Sequence, residues 1–195
     1  MNTVKLKDIS YIVDKGKNVK KEEHIREKGN MDIITFSDIM NGVLLKDLGK
    51  MVRIKSENEY MDLKIYGIEE KDIILPIISR KNLIIKQIKR IENTEKKIIY
   101  SSRLVYIRAN PEKYIPEFLY RILCMPKIKE RLLKEVYKSD IDGKIYQISL
   151  ERLKEFEIPN VSIREQKEIL TKEQEIKNQI AVEEEKLVKL YKKFI

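Results

Sequence analysis

The strongest constraint on this chain comes from residues 162–195, SIREQKEILTKEQEIKNQIAVEEEKLVKLYKKFI, which contain neither Pro nor Gly. Nothing there interrupts a single helix of about thirty residues. Ser162 followed by Glu165 is a capping-box pattern that starts it. Positions alternating by four and three carry Ile169, Glu173, Ile176, Ile180, Glu183, Leu187, Leu190 and Phe194. This is a coiled-coil seam weakened at its two Glu residues. The helix would reach roughly 45 Å, whereas a domain of this size is only about 30–35 Å across. Part of the seam therefore calls for a second helix, with Lys or Arg opposite Glu173 and Glu183. The plainer reading lays the helix along its own domain.

The rest of the chain reads differently, which places a boundary between residues 1–160 and 161–195. From 51 to 109 the runs MVRIK, LKIYGI, DIILPII, LIIKQI, KKIIY and RLVYIRA are β-branched and separated by polar turns, as strands are. Pro76 within DIILPII points to an edge or a bulge rather than a central strand. Residues 4–13 suit a strand or a short helix. Residues 14–31 suit a long polar loop with a helical turn at 20–27, residues 32–36 a buried strand, and residues 41–50 a connector. After Pro111 the periodicity becomes helical: Pro116 opens one helix, Pro126 breaks the run, a second helix follows over 127–136, and a third over 150–156. The fold class expected is α/β: a mixed, β-rich domain with short helices, followed by one long coiled-coil-type helix.

Charge narrows the partners. The 195 residues carry a formal net charge of +9, yet residues 165–195 hold seven Lys and seven Glu. The whole excess therefore lies in residues 1–164, and it favours a polyanion there. A genome rich in A·T pairs, which prefers Lys and Ile codons, is the plainer source. The basic residues gather in predicted loops: Lys15, Lys17, Lys20 and Lys21 in the first, Arg80 and Lys81 at the turn after DIILPIIS, and Lys144 with Ser139 around SDIDG. Loops on a rigid scaffold suit entry into a DNA major groove, with Lys on phosphates and Arg or Ser on base edges. Each of these residues also fits an ordinary solvated surface.

Catalytic chemistry finds little purchase. The chain has one Cys, Cys124, and one His, His24, so a Cys/His zinc site is excluded and a Ser-His-Asp triad would depend on a histidine in a polar loop. There is no Gly-rich phosphate loop and no Asn/Asp-Pro-Pro-aromatic tetrad for a flipped base. No metal and no cofactor is expected. A single Cys suits a reducing compartment, and no apolar run reaches the ~20 residues of a membrane span. With no apolar leader, a cytoplasmic location is expected.

Five stretches, in order along nearly the whole chain, resemble the target recognition domain of type I restriction–modification specificity subunits. They are VKLKDISYIVDKGK, GIEEKDIILPIISR, IIYSSRLVYIRANPEKYIPEFLYRIL, SDIDGKIYQISLERLKEFEIP and IREQKEIL. The sequence departs from the family pattern at Pro159-Asn160-Val161-Ser162, where Pro-Leu-Pro-Pro is common, around Ile78–Ser79–Arg80, where a Gly is expected, and at Lys138-Ser139-Asp140, where Gly-Ser is common. The resemblance implies a non-catalytic subunit that binds half of a split double-stranded DNA target and positions an adenine-N6 methyltransferase subunit. A restriction subunit can join such a complex. It further implies a half-size form that pairs with itself or with another half subunit through Ile169, Ile176, Ile180, Leu187, Leu190 and Phe194. Two other readings stay open: a protein-interaction module using the same helix, and a phage- or plasmid-borne decoy of a host specificity subunit.

Overall fold

The computed structural model describes residues 2–19, 29–40, 52–79, 88–91, 98–138 and 145–192. Two units emerge, Met1–Asn160 and Val161–Ile195. The expected helical turn at 20–27 and the connector at 41–50 fall outside the described residues.

Within the first unit the strands make four small sheets. β2 (Ser10–Lys15), β9 (Leu104–Ala109), β5 (Ile73–Pro76) and β7 (Lys89–Arg90) form one antiparallel sheet in that order. A second has β3 (Met31–Ile34) between β4 (Val52–Ile54) and β8 (Ile98–Tyr100), and the β3–β8 pair is parallel. A third orders β10 (Val136–Lys138), β11 (Tyr146–Ile148) and β6 (Ile78–Ser79). The last pairs β1 (Thr3–Lys5) with β12 (Glu157–Pro159), joining both ends of the unit. The β-branched runs supply the core. Ile34, Ile74, Ile98, Leu104 and Tyr106 pack together across the first two sheets.

The helices are α1 (Leu6–Ile9), α2 (Phe36–Met40), α3 (Glu59–Tyr66), α4 (Pro116–Cys124), α5 (Pro126–Lys134), α6 (Leu150–Lys154) and α7 (Ile163–Tyr191). Residues 4–13, readable as strand or helix, contain parts of both. Pro116 and Pro126 each occupy the first turn of a helix, where a missing N–H costs nothing.

Two expectations are corrected. LKIYGI, read as a strand, lies largely in α3. The Asn58 side chain caps that helix by accepting from the Met61 N–H at 3.1 Å. Leu63 and Tyr66, one turn apart, pack on Met31, Ile33, Ile54 and Ile99, so a cap and tertiary packing override the β-like composition. Pro76 ends β5, which lies inside its sheet between β9 and β7. Among the described residues β7 pairs with Ile73 and Ile74, while Pro76 faces Leu104 on the other side.

One buried carboxylate fastens these strands together. Asp72 is 1% exposed. It accepts from Arg108 Nε at 2.9 Å and Nη2 at 2.8 Å, from the Tyr100 hydroxyl at 3.0 Å and from the Glu69 N–H at 2.9 Å. Burial, and then the Asp72 charge, push the Tyr100 hydroxyl well above its ordinary range, so it stays a donor. Burial works against the Arg108 charge, but the hydrogen bonds and charges of Asp72 and Glu69 outweigh it and raise the guanidinium. Tyr100 and Tyr106 stack with centroids 4.6 Å apart.

Replacing Asp72 with Ala removes two hydrogen bonds of the half-buried Arg108 guanidinium and the acceptor of the Tyr100 hydroxyl and Glu69 N–H, and equilibrium denaturation should show a loss of about 3–5 kcal/mol. A loss below about 1 kcal/mol would show that this pair does not hold the strands. A second expectation concerns acid. Glu155 accepts from Lys5 at 2.7 Å and from Lys7, and these contacts lower its carboxyl from the ordinary 4.5 to about 2. A depressed folded value means that this stabilisation is complete above pH 4.5 and fades as pH falls toward 2. The stability gap between the native chain and Glu155→Gln should therefore close across that window; a gap independent of pH would contradict the assignment.

Candidate nucleic-acid interface

The β8–β9 connection is a four-residue turn, Ser101–Leu104, closed by the Leu104 N–H to the Ser101 carbonyl at 3.0 Å. Three other strand ends bond to it. The Lys17 N–H reaches the Tyr100 carbonyl at 2.7 Å, and the Ser102 N–H returns to the Lys17 carbonyl at 2.8 Å. The Ser101 N–H donates to Ile34 at 3.0 Å, and the Ile77 N–H donates to Arg103 at 2.9 Å. So close an approach requires glycine at position 16, because a Cβ there would lie 2.1 Å from the Tyr100 carbonyl oxygen.

Ile77 carries this anchoring into the third sheet, since its carbonyl accepts the Ile148 N–H at 3.0 Å. In that sheet Ser79, Tyr146 and Lys138 stand in one row. The row lies two residues beyond Ile77, or roughly 7 Å at strand rise. Residues 80–87 follow Ser79, and residues 139–144 run from Lys138 to Ile145. Residues 20–28 follow Val19, two positions past Lys17. The stretches that carry the predicted basic residues thus join the described fold around one turn, although they are far apart in sequence.

Among the predicted contacts, Lys15 ends β2 opposite Val105, and its ammonium has no partner among the described residues. Lys17 is committed: it forms a partly buried ion pair with Asp62, whose carboxylate also accepts from the Ser56 hydroxyl at 2.6 Å. That tie fixes the start of the first loop to α3. Lys20, Lys21, Arg80, Lys81, Ser139 and Lys144 lie outside the described residues, as does His24. Lys138, at the flank of the predicted SDIDG loop, is exposed and closes β10; the exposed Arg103, on the turn itself, was not among the predicted contacts. The run RLVYIRA reads as continuous strand from Arg103, and only the preceding Ser-Ser hints at a turn.

Chemistry elsewhere in the first unit is neutralised rather than poised. A cleft of about 470 Å³ is lined by Tyr11, Glu69, Lys71, Arg90, Arg108 and Glu117, among others. Its Arg108 is held by Asp72 and Glu69, and Arg90 pairs with Glu117 at 3.6 Å. Among the described residues no group of His, Cys, Asp and Glu could hold a metal ion, and no helix is long and apolar enough to cross a membrane.

In the second unit α7 runs 29 residues from a complete capping box at Ser162 and Glu165. Of the predicted seam, Ile169, Ile176, Ile180, Leu187 and Leu190 are 47–56% exposed; Phe194 lies outside the described residues. Glu173 and Glu183, expected to await a cation on another helix, are paired along their own helix with Lys177 at 2.6 Å and Lys186 at 2.7 Å.

The family model for the type I restriction modification DNA specificity domain matches residues 1–192. The fold is similar to the type-I restriction-modification S subunit of M. genitalium, with TM-score 0.54 and 15% identity over 88% of this chain and 37% of that one. It is also similar to the HsdS subunit of Thermoanaerobacter tengcongensis, with TM-score 0.56 and 14% identity over 93% of this chain and 38% of that one. The chain thus spans little more than a third of either subunit. No curated protein sequence matches it. The chain belongs to the type I restriction modification DNA specificity domain family.

The Lys17–Asp62 pair makes a prediction of its own. In a double-mutant cycle of Lys17→Ala and Asp62→Ala, stability should be coupled by about 0.5–3 kcal/mol. Additive effects would free Lys17 to act as a phosphate contact.

Proposed function

We propose that this member of the specificity family is the sequence-reading component of an adenine-N6 DNA methyltransferase complex, which a restriction subunit can join. Residues 1–160 take one half of a bipartite site in double-stranded DNA. Residues 161–195 form a coiled coil with the matching helix of a second copy, or of another half specificity subunit, and space the two half-sites. A two-fold pair of copies would read a split palindrome. Lys15, Lys20, Lys21, Lys81 and Lys144 supply phosphate contacts, and Arg80 and Ser139 approach base edges. Lys17 acts by holding the first loop to α3.

The observation that carries this reading is the convergence of strand ends on the Ser101–Leu104 turn, which gives separate basic stretches a common rigid base. The family match over residues 1–192 supports it. The unburied apolar seam of α7 supports the pairing, since burying one Leu or Ile side chain fully gains about 1.5–3 kcal/mol.

Salt titration of binding to duplex DNA tests the recognition role. Five phosphate-contacting cations, Lys15, Lys20, Lys21, Lys81 and Lys144, each releasing about 0.9 counterion, give a log–log slope of about −4.5 per domain. A slope near zero would point to an interaction module. The pairing role is tested separately. Changing Ile176, Ile180 and Leu187 together to Asp should convert a dimer to a monomer in sedimentation while the first unit stays folded; an unchanged dimer would overturn the seam.

A further inference from the structure

We propose that Arg103 is a base-reading arginine of the DNA site, an inference that rests on the recognition role above. Arg103 occupies a central position of the Ser101–Leu104 turn, where the three larger sheets exchange hydrogen bonds. Its carbonyl accepts the Ile77 N–H at 2.9 Å, and the next residue, Leu104, closes the turn and pairs with Pro76. The backbone beneath the guanidinium is thus held on both sides, while the side chain is exposed.

Among the described residues of the first unit the other arginines are engaged. Arg53 pairs with Asp32, Arg90 and Arg121 with Glu117, Arg108 with Asp72, and Arg152 with Glu135, while Arg131 donates to the Glu157 carbonyl. Arg103 has no such partner among the described residues. Lysine ammonium groups, carried on flexible stems, suit phosphates. An arginine on a fixed turn loses little further freedom on binding, and its planar fork matches the O6 and N7 acceptors of guanine in the major groove. The geometry therefore gives Arg103 a guanine contact within the half-site.

The test is selection of duplexes from a pool with a randomised central segment. The purified full chain is compared with Arg103→Lys, which keeps the charge and loses the fork, and with Arg103→Ala. The native chain should enrich a defined motif containing guanine. Arg103→Lys should enrich the same motif with one or two positions relaxed. On the native chain's selected duplex both variants should lose about ten- to a hundredfold in affinity, against less than about threefold on a random duplex. If Arg103→Ala binds too weakly for selection, its affinities for the selected duplex and for single-base variants of it decide. Discrimination lost at one position supports the contact; discrimination intact everywhere overturns it. Equal losses on selected and random duplexes would make Arg103 a phosphate contact and overturn the inference, leaving the recognition role standing. A native chain that enriches no motif takes down both.

Discussion

The Asp72 carboxylate, shut away from water, gathers an arginine, a tyrosine hydroxyl and a backbone N–H from three parts of the chain. An unpaired charge in that position would be costly, so the arrangement persists only while all its partners are present. Tyr100 passes the constraint on. Its hydroxyl is bound by Asp72, its ring stacks on Tyr106, and its carbonyl accepts the Lys17 N–H. The turn that follows Tyr100 is thereby fixed against β9 on one side and against the first loop on the other. The backbone at Lys71, held left-handed at φ 71 with its N–H on the Ile91 carbonyl at 2.8 Å, is part of the same fastening. A rigid base of this kind is what a binding surface made of loops needs, because loops hold few contacts of their own.

Much of the architecture was legible because it is encoded locally. The capping box at Ser162, the prolines at positions 116 and 126 and the change from β-like to helical periodicity near Pro111 involve residues a few positions apart. The misread parts depend on distant partners. α3 looks like a strand until Lys17, 45 residues away, pairs with Asp62 and Leu63 with Tyr66 meets the β3–β8 core. Pro76 looks like an edge residue until the register of β7 is known. The site shows the same limit. Basic residues could be found by composition, but their common origin on the Ser101–Leu104 turn depends on the register of β6, β10 and β11. The Lys17–Asp62 pair could not be read from residues 45 positions apart, and Arg103 was absorbed into a strand.

The two units divide the work by composition. The first carries nearly all of the excess positive charge and the loops; residues 165–195 of the second are neutral, and every described residue from Gln174 to Lys192 is exposed. Ion pairs such as Lys177–Glu173 and Lys189–Glu185 keep α7 helical at a few tenths of a kcal/mol each, and they leave the apolar stripe free for another helix. In the proposed role, the first unit followed by this self-capped helix would set two DNA half-sites a fixed distance apart.

In the proposed role, the chain directs adenine methylation to a particular sequence. Long-read sequencing of N6-methyladenine in cells with and without the gene tests it most directly. The account predicts that methylation at one bipartite motif disappears when the gene is removed and returns on complementation. A methylation pattern identical in the two strains, in cells that express the chain, would contradict it.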